Sequence, residues 1–301
     1  MFDNASRYIE FYKKSGTPFE IVDDKLWVEY NRMVVPVGPV KLDYFISEKE
    51  AKNLLLCFPK TLLVRITGGF LSNDMPEGWY ALIIDKFVEL NDNKYRKEIR
   101  RGLRNCRVEM VPAEIIAKNG YRVNMSAYSR YKGGRKSDIT ERDFYENIIK
   151  TSDFNDIINY WGVFYKDQLV GYTVVYIYGK SEIHLPLANF NPDFLKYCSS
   201  AASEHIINEY YLKIKKYEYI NSGFRCLLHQ TKHQDFLVKK FGYSKIPLKF
   251  IIFYCQPIKY LLFSTFFMGN FMGYLNQELG ALYKQEEIRR SYLKNNYETY
   301  F

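Results

Sequence analysis

Cysteine pairs at metal or redox spacing are missing from this chain of 301 residues. The five cysteines, Cys57, Cys106, Cys198, Cys226 and Cys255, are odd in number, widely separated and form no CxxC. A disulfide framework and a zinc site are set aside on that ground, and a reducing compartment is the expected setting. No internal repeat and no low-complexity tract is present, which excludes solenoids and disordered linkers. The opening MFDNASRYIEFYKK lacks a basic segment followed by an apolar core, so no secretory signal is read and a cytoplasmic location is expected. The apolar run Tyr260–Leu275 is sixteen residues long, short of the roughly 20 that cross a bilayer. It is expected to be a buried helix, with peripheral contact of residues 257–275 with the inner face of the cell membrane as the alternative.

What the chain does have is a globular composition, 47% hydrophobic and 18% aromatic with 28 tyrosines spread evenly, and a formal charge of +9. The aromatics suit strand and core packing, and the charge suits anionic partners. The densest charge is KYRKEIRRGLRNCR, Lys94–Arg107, with seven cations around Glu98. Tyr95, Ile99, Leu103, Cys106 and Met110 fall at helical spacing, predicting one amphipathic helix whose apolar stripe is buried. Its arginines either hold phosphates or form a solvated face.

The first hundred residues predict a mixture of strands and helices. Lys25–Val37, Thr61–Thr67 and Gly78–Val88 are strand-like, and a capping box at Ser47 and Glu50 opens a helix between the first two. After the basic helix, AEIIAKNGY is expected to stop at Gly120, the polar basic loop SRYKGGRKS follows, and a further helix begins near Ser137 or Asp138. From Tyr160 the order is strand, strand, strand, helix, strand, helix, strand. The turn Lys166-Asp167-Gln168 joins the first pair, DFLKYCSSAASEHIINEYYLKIKK forms one long helix, and Gly242 closes the last.

That order, with QDFLVKKFGYSKIPLKFIIFY as a closing helix-Gly-aromatic-strand element and WGVFYKDQLVGYTVVYIYG as an early hairpin, resembles the core of the GNAT superfamily of N-acyltransferases. The basic segment RKEIRRGLR, Arg96–Arg104, is similar to a helix in its Fem-like branch, which includes peptidoglycan aminoacyltransferases and acyltransferases of surface-polysaccharide loci. The resemblance spans about residues 25–255. It implies an α/β (α+β) fold of tandem GNAT-like halves, mixed central sheets flanked by helices, with a helical C-terminal tail. The expected divisions are a degenerate half at 1–110, an acyltransferase half at 111–256 and the tail at 257–301. Two elements of the superfamily pattern are replaced. The glycine-spaced acetyl-CoA loop is NFNPDFLKYCSSAAS here, and the tyrosine four residues before the closing glycine is Val238.

The resemblance implies an N-acyltransferase that carries an acyl group from acyl-CoA or another activated donor to an amino group on a sugar or cell-envelope precursor, with no metal. An aminoacyl-tRNA donor and a non-catalytic protein that binds nucleic acid or membrane remain the rivals. Amine attack needs donor binding, oxyanion stabilisation and proton removal. The donor is expected at the helix start near Tyr197, Ser199 and Ser200, and the oxyanion at the backbone of Leu187–Asn189. His184 and His229 are the proton-acceptor candidates. A phosphorylated or nucleotide-linked substrate is expected at Arg100, Arg104, Arg130, Tyr131, Asn221, Ser222 and Arg225, the last three on a strand-to-helix loop. His229 and His233 lie four apart but lack acidic or cysteine partners at ligand spacing.

Overall fold

A computed structural model describes residues 1–71, 78–92, 94–129, 139–227, 232–265 and 277–294. The chain forms two compact units that are not sequential stretches. Unit 1 comprises Met1–Leu82, Phe224–His233 and Lys245–Phe301, and unit 2 comprises Ile83–Gly223 and Gln234–Ser244.

Unit 1 opens with α1 (Ala5–Ser15), closed by Gly16 at φ 71°. β1 (Phe19–Val22), β2 (Lys25–Tyr30) and β3 (Met33–Val37) follow as an antiparallel meander. The stretch Lys25–Val37, expected as one strand-like piece, is therefore a hairpin. It reverses at Asn31 and Arg32, both at positive φ, in a two-residue turn whose twist matches that of the strands. The capping box opens α2 (Glu48–Cys57) as expected: the Ser47 hydroxyl accepts from the Glu50 amide and Glu50 accepts from the Ser47 amide. β4 (Leu63–Phe70), β5 (Tyr80–Ile84), β11 (Ser244–Tyr254), α8 (Gln256–Thr265) and α9 (Gln277–Lys294) complete the unit. The strand order is β1-β2-β3-β4-β11-β5. Trp27, Val34, Ile46, Leu54, Phe58 and Ile66 form its core against α2. Among the described residues no helix is long and apolar enough to cross a membrane.

Unit 2 contains α3 (Arg96–Asn105), β6 (Cys106–Val111), α4 (Ala113–Tyr128), α5 (Glu141–Ile149), β7 (Ile158–Tyr165), β8 (Gln168–Tyr178), β9 (Glu182–Phe190), α6 (Ser199–Asn208), β10 (Tyr219–Phe224) and α7 (Lys232–Phe241). Its strands run in the order β10-β9-β8-β7-β6, antiparallel except for β9 with β10. The expected strand and helix sequence from residue 160 is present.

Three local expectations are corrected. The basic helix stops at Asn105, and Cys106–Val111 pairs with β7 from Tyr165 to Tyr160. Alternation in CRVEMV fits that ladder, and long-range pairing wins over the helical period that Cys106 and Met110 also satisfy. Gly120 does not end α4; it sits inside the helix, where a Cβ would come within 3.1 Å of the Phe144 ring on α5. The single long helix after Asn191 is three pieces: a 3-10 segment Pro192–Tyr197, then α6, then a π-helical turn Glu209–Ile214. The first break lies at Cys198, whose φ of 63° no continuous right-handed helix accommodates.

Candidate active site

Each unit holds a strand, a helix and a second strand parallel to the first, and in each the two strands share only a few rungs. In unit 1 they are β3 and β4, paired at Met33 with Leu63 and Val34 with Val64. In unit 2 they are β9 and β10, paired at Glu182 with Tyr219, Ile183 with Ile220 and His184 with Asn221. Beyond those rungs the strands diverge into a fork.

The fork of unit 1 is filled by the chain itself. The Gly69 amide donates to the Val40 carbonyl at 2.9 Å, and the buried Tyr44 hydroxyl donates to the Pro39 carbonyl at 3.1 Å. Gly68 admits this segment, since a Cβ there would lie 2.5 Å from the Leu42 carbonyl oxygen and 2.6 Å from the Tyr44 ring.

The fork of unit 2 is exposed instead. β9 continues past its last rung from Leu185 to Phe190, where Pro186 and Ala188 are exposed and Leu187 is half-buried. Against β8 the register slips, with Val174 opposite Leu187 and Tyr176 opposite His184, which bulges β9 at Leu185 and Pro186. Proline tolerates that place because a bulge spares it the amide hydrogen it lacks. An antiparallel ladder uses alternate amides on one edge, so the intervening amides of β9 face the fork.

Below the fork lies a buried polar group on one face of the sheet. Glu182 is fully buried and accepts from Tyr219 Oη at 2.7 Å and Asn221 Nδ2 at 2.9 Å, with His184 Nδ1 at 3.9 Å. Asn221 Oδ1 accepts from the Gly223 amide at 2.9 Å, so both ends of the Asn221 amide are spent within the protein. His184 stacks on Tyr178 with ring centroids 6.1 Å apart. Burial lowers its pKa to about 4 against a smaller opposing hydrogen bond with the Asn221 backbone, so the imidazole is neutral at physiological pH.

The helix after the fork is tightly packed at its start. A Cβ on Gly102 of α3 would fall 2.5 Å from the Cys198 carbonyl oxygen and 3.1 Å from the Ala202 Cβ, so SSAAS serves close contact between α3 and α6. Ser199 is fully buried and donates to the Phe194 carbonyl at 3.4 Å, Ser200 is half-buried, and Tyr197 stacks on Tyr165 at 4.3 Å. Asn189 Nδ2 donates to Asn124 Oδ1 at 2.9 Å and to Tyr172 Oη at 3.0 Å, which ties the end of β9 to α4.

The cations of α3 point outward: Arg96, Lys97, Arg100, Arg101 and Arg104 are exposed. Arg100 Nη2 donates to Asn91 Oδ1 at 2.8 Å, and Glu98 forms an ion pair with Lys240 at 2.7 Å. Ser222 is half-buried near the end of β10. Arg225 belongs to unit 1, where its Nη1 donates to the Gly78 carbonyl at 3.0 Å. His229, Arg130 and Tyr131 lie outside the described residues.

Two groups escaped the sequence reading. A cavity of about 380 Å³ in unit 2 is lined by Lys118, Arg122, Asn119, Asn191, Glu141 and Asp167 among others. Lys118 and Arg122 stand one turn apart on α4, a spacing visible in the sequence once the helix is known to pass Gly120. The second group is Glu204 on α6, 9% exposed, which accepts from Tyr243 Oη at 2.6 Å. Burial pushes this carboxyl up to about 7, against hydrogen bonds from Tyr243 and Asn208. Nothing local to the sequence marks it, since its partner is 39 positions away. Among the described residues no group of three or more His, Cys, Asp or Glu could hold a metal ion.

No family model and no curated protein matches the chain in sequence. Solved structures do match in shape. FemX is 12% identical, over 85% of this chain and 93% of that one, with a TM-score of 0.52. L-PGS from Bacillus licheniformis is 16% identical over 86% and 95% of the two chains, with a TM-score of 0.48. A tandem GNAT protein from the clavulanic acid biosynthesis pathway is 9% identical over 76% and 77%, with a TM-score of 0.45. The likeness to FemX is one of fold, and it gives the chain a Fem-like architecture of two units with mixed sheets, each with its strand-helix-strand fork, and the helices α8 and α9 after the last strand.

Proposed function

We propose that the protein is an N-acyltransferase that moves an acyl or aminoacyl group from an activated donor to an amino group of a sugar or cell-envelope precursor. The observation that carries this reading is the contrast between the forks. Unit 1 has closed its fork with Tyr44 and the segment around it, whereas in unit 2 Pro186 and Ala188 are exposed on the stretch of β9 that pairs with β8 but runs past its last rung with β10.

An extended donor fits that opening by hydrogen bonding to the fork-facing backbone within Leu187–Asn189, where the Asn191 amide bonded to Val170 sets the alternation and leaves the Ala188 amide to meet the carbonyl oxygen as charge develops on it. The amine nitrogen attacks the acyl carbon, the bond from that carbon to the donor's sulfur or oxygen breaks, and the nitrogen loses a proton. His184, neutral at physiological pH, takes part as a hydrogen-bonding imidazole; with a pKa of about 4 it is a weak sink for an ammonium proton, which then passes to solvent or the leaving group. Lys118, Arg122 and Asn191 offer the cavity of about 380 Å³ to the anionic part of a phosphorylated or nucleotide-linked substrate.

An aminoacyl-tRNA donor is favoured over acyl-CoA by two further observations: the arginines of α3 are exposed, and no glycine-spaced phosphate loop precedes α6. Ala188→Tyr tests the fork by plugging it as Tyr44 plugs the other; Ala188 is exposed, so the fold tolerates the ring. Transfer of label from acyl-CoA or charged tRNA to an amino sugar or a peptidoglycan precursor is expected to fall more than tenfold with the thermal midpoint unchanged. Undiminished transfer in the variant overturns the donor site. Binding of neither donor by the wild-type protein, with anion or nucleic-acid binding retained, overturns the enzyme reading in favour of a non-catalytic one. A tRNA affinity that falls steeply with salt, and falls again in Arg100→Ala with Arg104→Ala, selects the tRNA donor.

A further inference from the structure

Unit 1 contains a second cavity, of about 250 Å³, lined by β11, α2, α8 and α9. Four cations border it, Lys52, Lys259, Arg289 and Arg290, against two carboxylates, Glu48 and Glu286, leaving an excess of positive charge. Leu55, Leu262, Phe263 and Leu293 make part of its wall apolar.

The cationic side is built. Glu286 is 2% exposed and accepts from Arg289 Nε at 2.8 Å, Arg289 Nη2 at 2.9 Å and Arg290 Nε at 2.8 Å. Burial alone would raise its pKa, but these hydrogen bonds outweigh burial and keep the carboxyl ionised, which fixes both guanidinium groups at the cavity. Among the α2 residues of the lining, Lys52 pairs with Glu48 at 2.9 Å, and Lys259 of α8 lies near enough to lower the Glu48 pKa further. Burial pushes the Tyr254 phenol far above its usual range, so it lines the cavity as a neutral hydroxyl.

Beside the cavity, large apolar side chains stand in solvent. Leu56 on α2 is 79% exposed, and on α8 Tyr260 is 70% and Phe263 80% exposed. Bulky apolar groups bordered by cations match the composition of an anionic bilayer surface, where aromatics settle at headgroup depth and basic residues meet phosphates. A soluble phosphate would leave the apolar wall unused.

We propose that this face of unit 1 rests on an anionic membrane and that the cavity takes the phosphate headgroup of one phospholipid. The proposal is independent of the acyltransfer reading, because its test needs no donor or acceptor. The full-length protein is floated with vesicles of phosphatidylcholine and with vesicles containing about 30% phosphatidylglycerol, at about 0.1 M salt where surface charge is still felt. Selective flotation with the anionic vesicles is expected. Lys52→Ala with Lys259→Ala lowers that partitioning roughly 25-fold, at about fivefold per cation. Phe263→Ser lowers it several-fold, and its exposure makes misfolding a poor explanation for the loss. Equal binding to both vesicle types, no binding to either, or unchanged binding by the lysine variant overturns the proposal. Binding of dodecyl phosphate below its micelle concentration without flotation also overturns it, by assigning the cavity to a soluble amphiphile.

Discussion

Replacing Glu204 by glutamine is expected to remove a pH-dependent weakness from unit 2. The carboxyl is 9% exposed, hydrogen-bonded to Tyr243 and Asn208, and raised from 4.5 to about 7 mainly by burial. A carboxyl whose folded pKa is raised contributes stability that is fully present below its unfolded value, near 4.5, and is lost as pH rises through its folded value, near 7. At about 1.4 kcal/mol per pKa unit, the loss by pH 8 is about 3 kcal/mol. Glutamine keeps an oxygen to accept from the Tyr243 hydroxyl and carries no charge, so the variant does not share this loss. Urea unfolding at pH 4.5, 6 and 8, with the transition assigned to unit 2 by hydrogen exchange in α6, reads the difference. Glu204→Gln is expected to be close to wild type at pH 4.5 and to gain up to about 3 kcal/mol over it by pH 8. A stability difference that stays constant across this range refutes the reasoning, since a fixed offset is a packing effect and not a titration.

His184 supplies the opposite sign. Its folded pKa is lowered from 6.5 to about 4, so its contribution is present above pH 6.5 and lost as pH falls toward 4, again about 3 kcal/mol. NMR titration of the ring should show no protonation until below pH 5, and an inflection between 6 and 7 would show the side chain to be solvated. Gly102→Ala should destabilise despite the gain of about 1 kcal/mol that alanine ordinarily brings to a helix interior, because the new Cβ meets the Cys198 carbonyl at 2.5 Å. A net cost of about 1–3 kcal/mol in urea unfolding is expected, and a rise in stability would mean that α3 and α6 are less closely apposed.

The order of strands and helices after Tyr160 was legible because each element there carries its own punctuation: Lys166 and Asp167 at a turn, Asn191 and Pro192 after β9, Gly242 after α7. The capping box at Ser47 is equally local. Failures occur where a distant partner decides. Cys106–Val111 reads as helix until β7 supplies a ladder, and Gly120 reads as a stop until Phe144 fills the space a side chain would need. Asn221 looked like a ligand residue on a loop, but Glu182 and Gly223 take both ends of its amide. The plug at Tyr44 was beyond sequence reasoning altogether, because Gly68 and Pro39 announce flexibility and turns rather than the occupant of a fork.

The nesting of unit 2 between the segments of unit 1 sets an order of events during synthesis. The segment Met1–Leu82 of unit 1 precedes unit 2, yet unit 1 lacks β11 until residues 245–254 exist and lacks α8 and α9 until still later. Unit 2 is nearly complete once Ser244 has been made. Domains usually fold as they emerge, first the N-terminal and then the next. Here the nested unit matures first, while β4 waits with an unpaired edge for the strand that covers it from Leu63 to Phe70. The half that closed its own fork is thus also the half most exposed to mispairing before release from the ribosome.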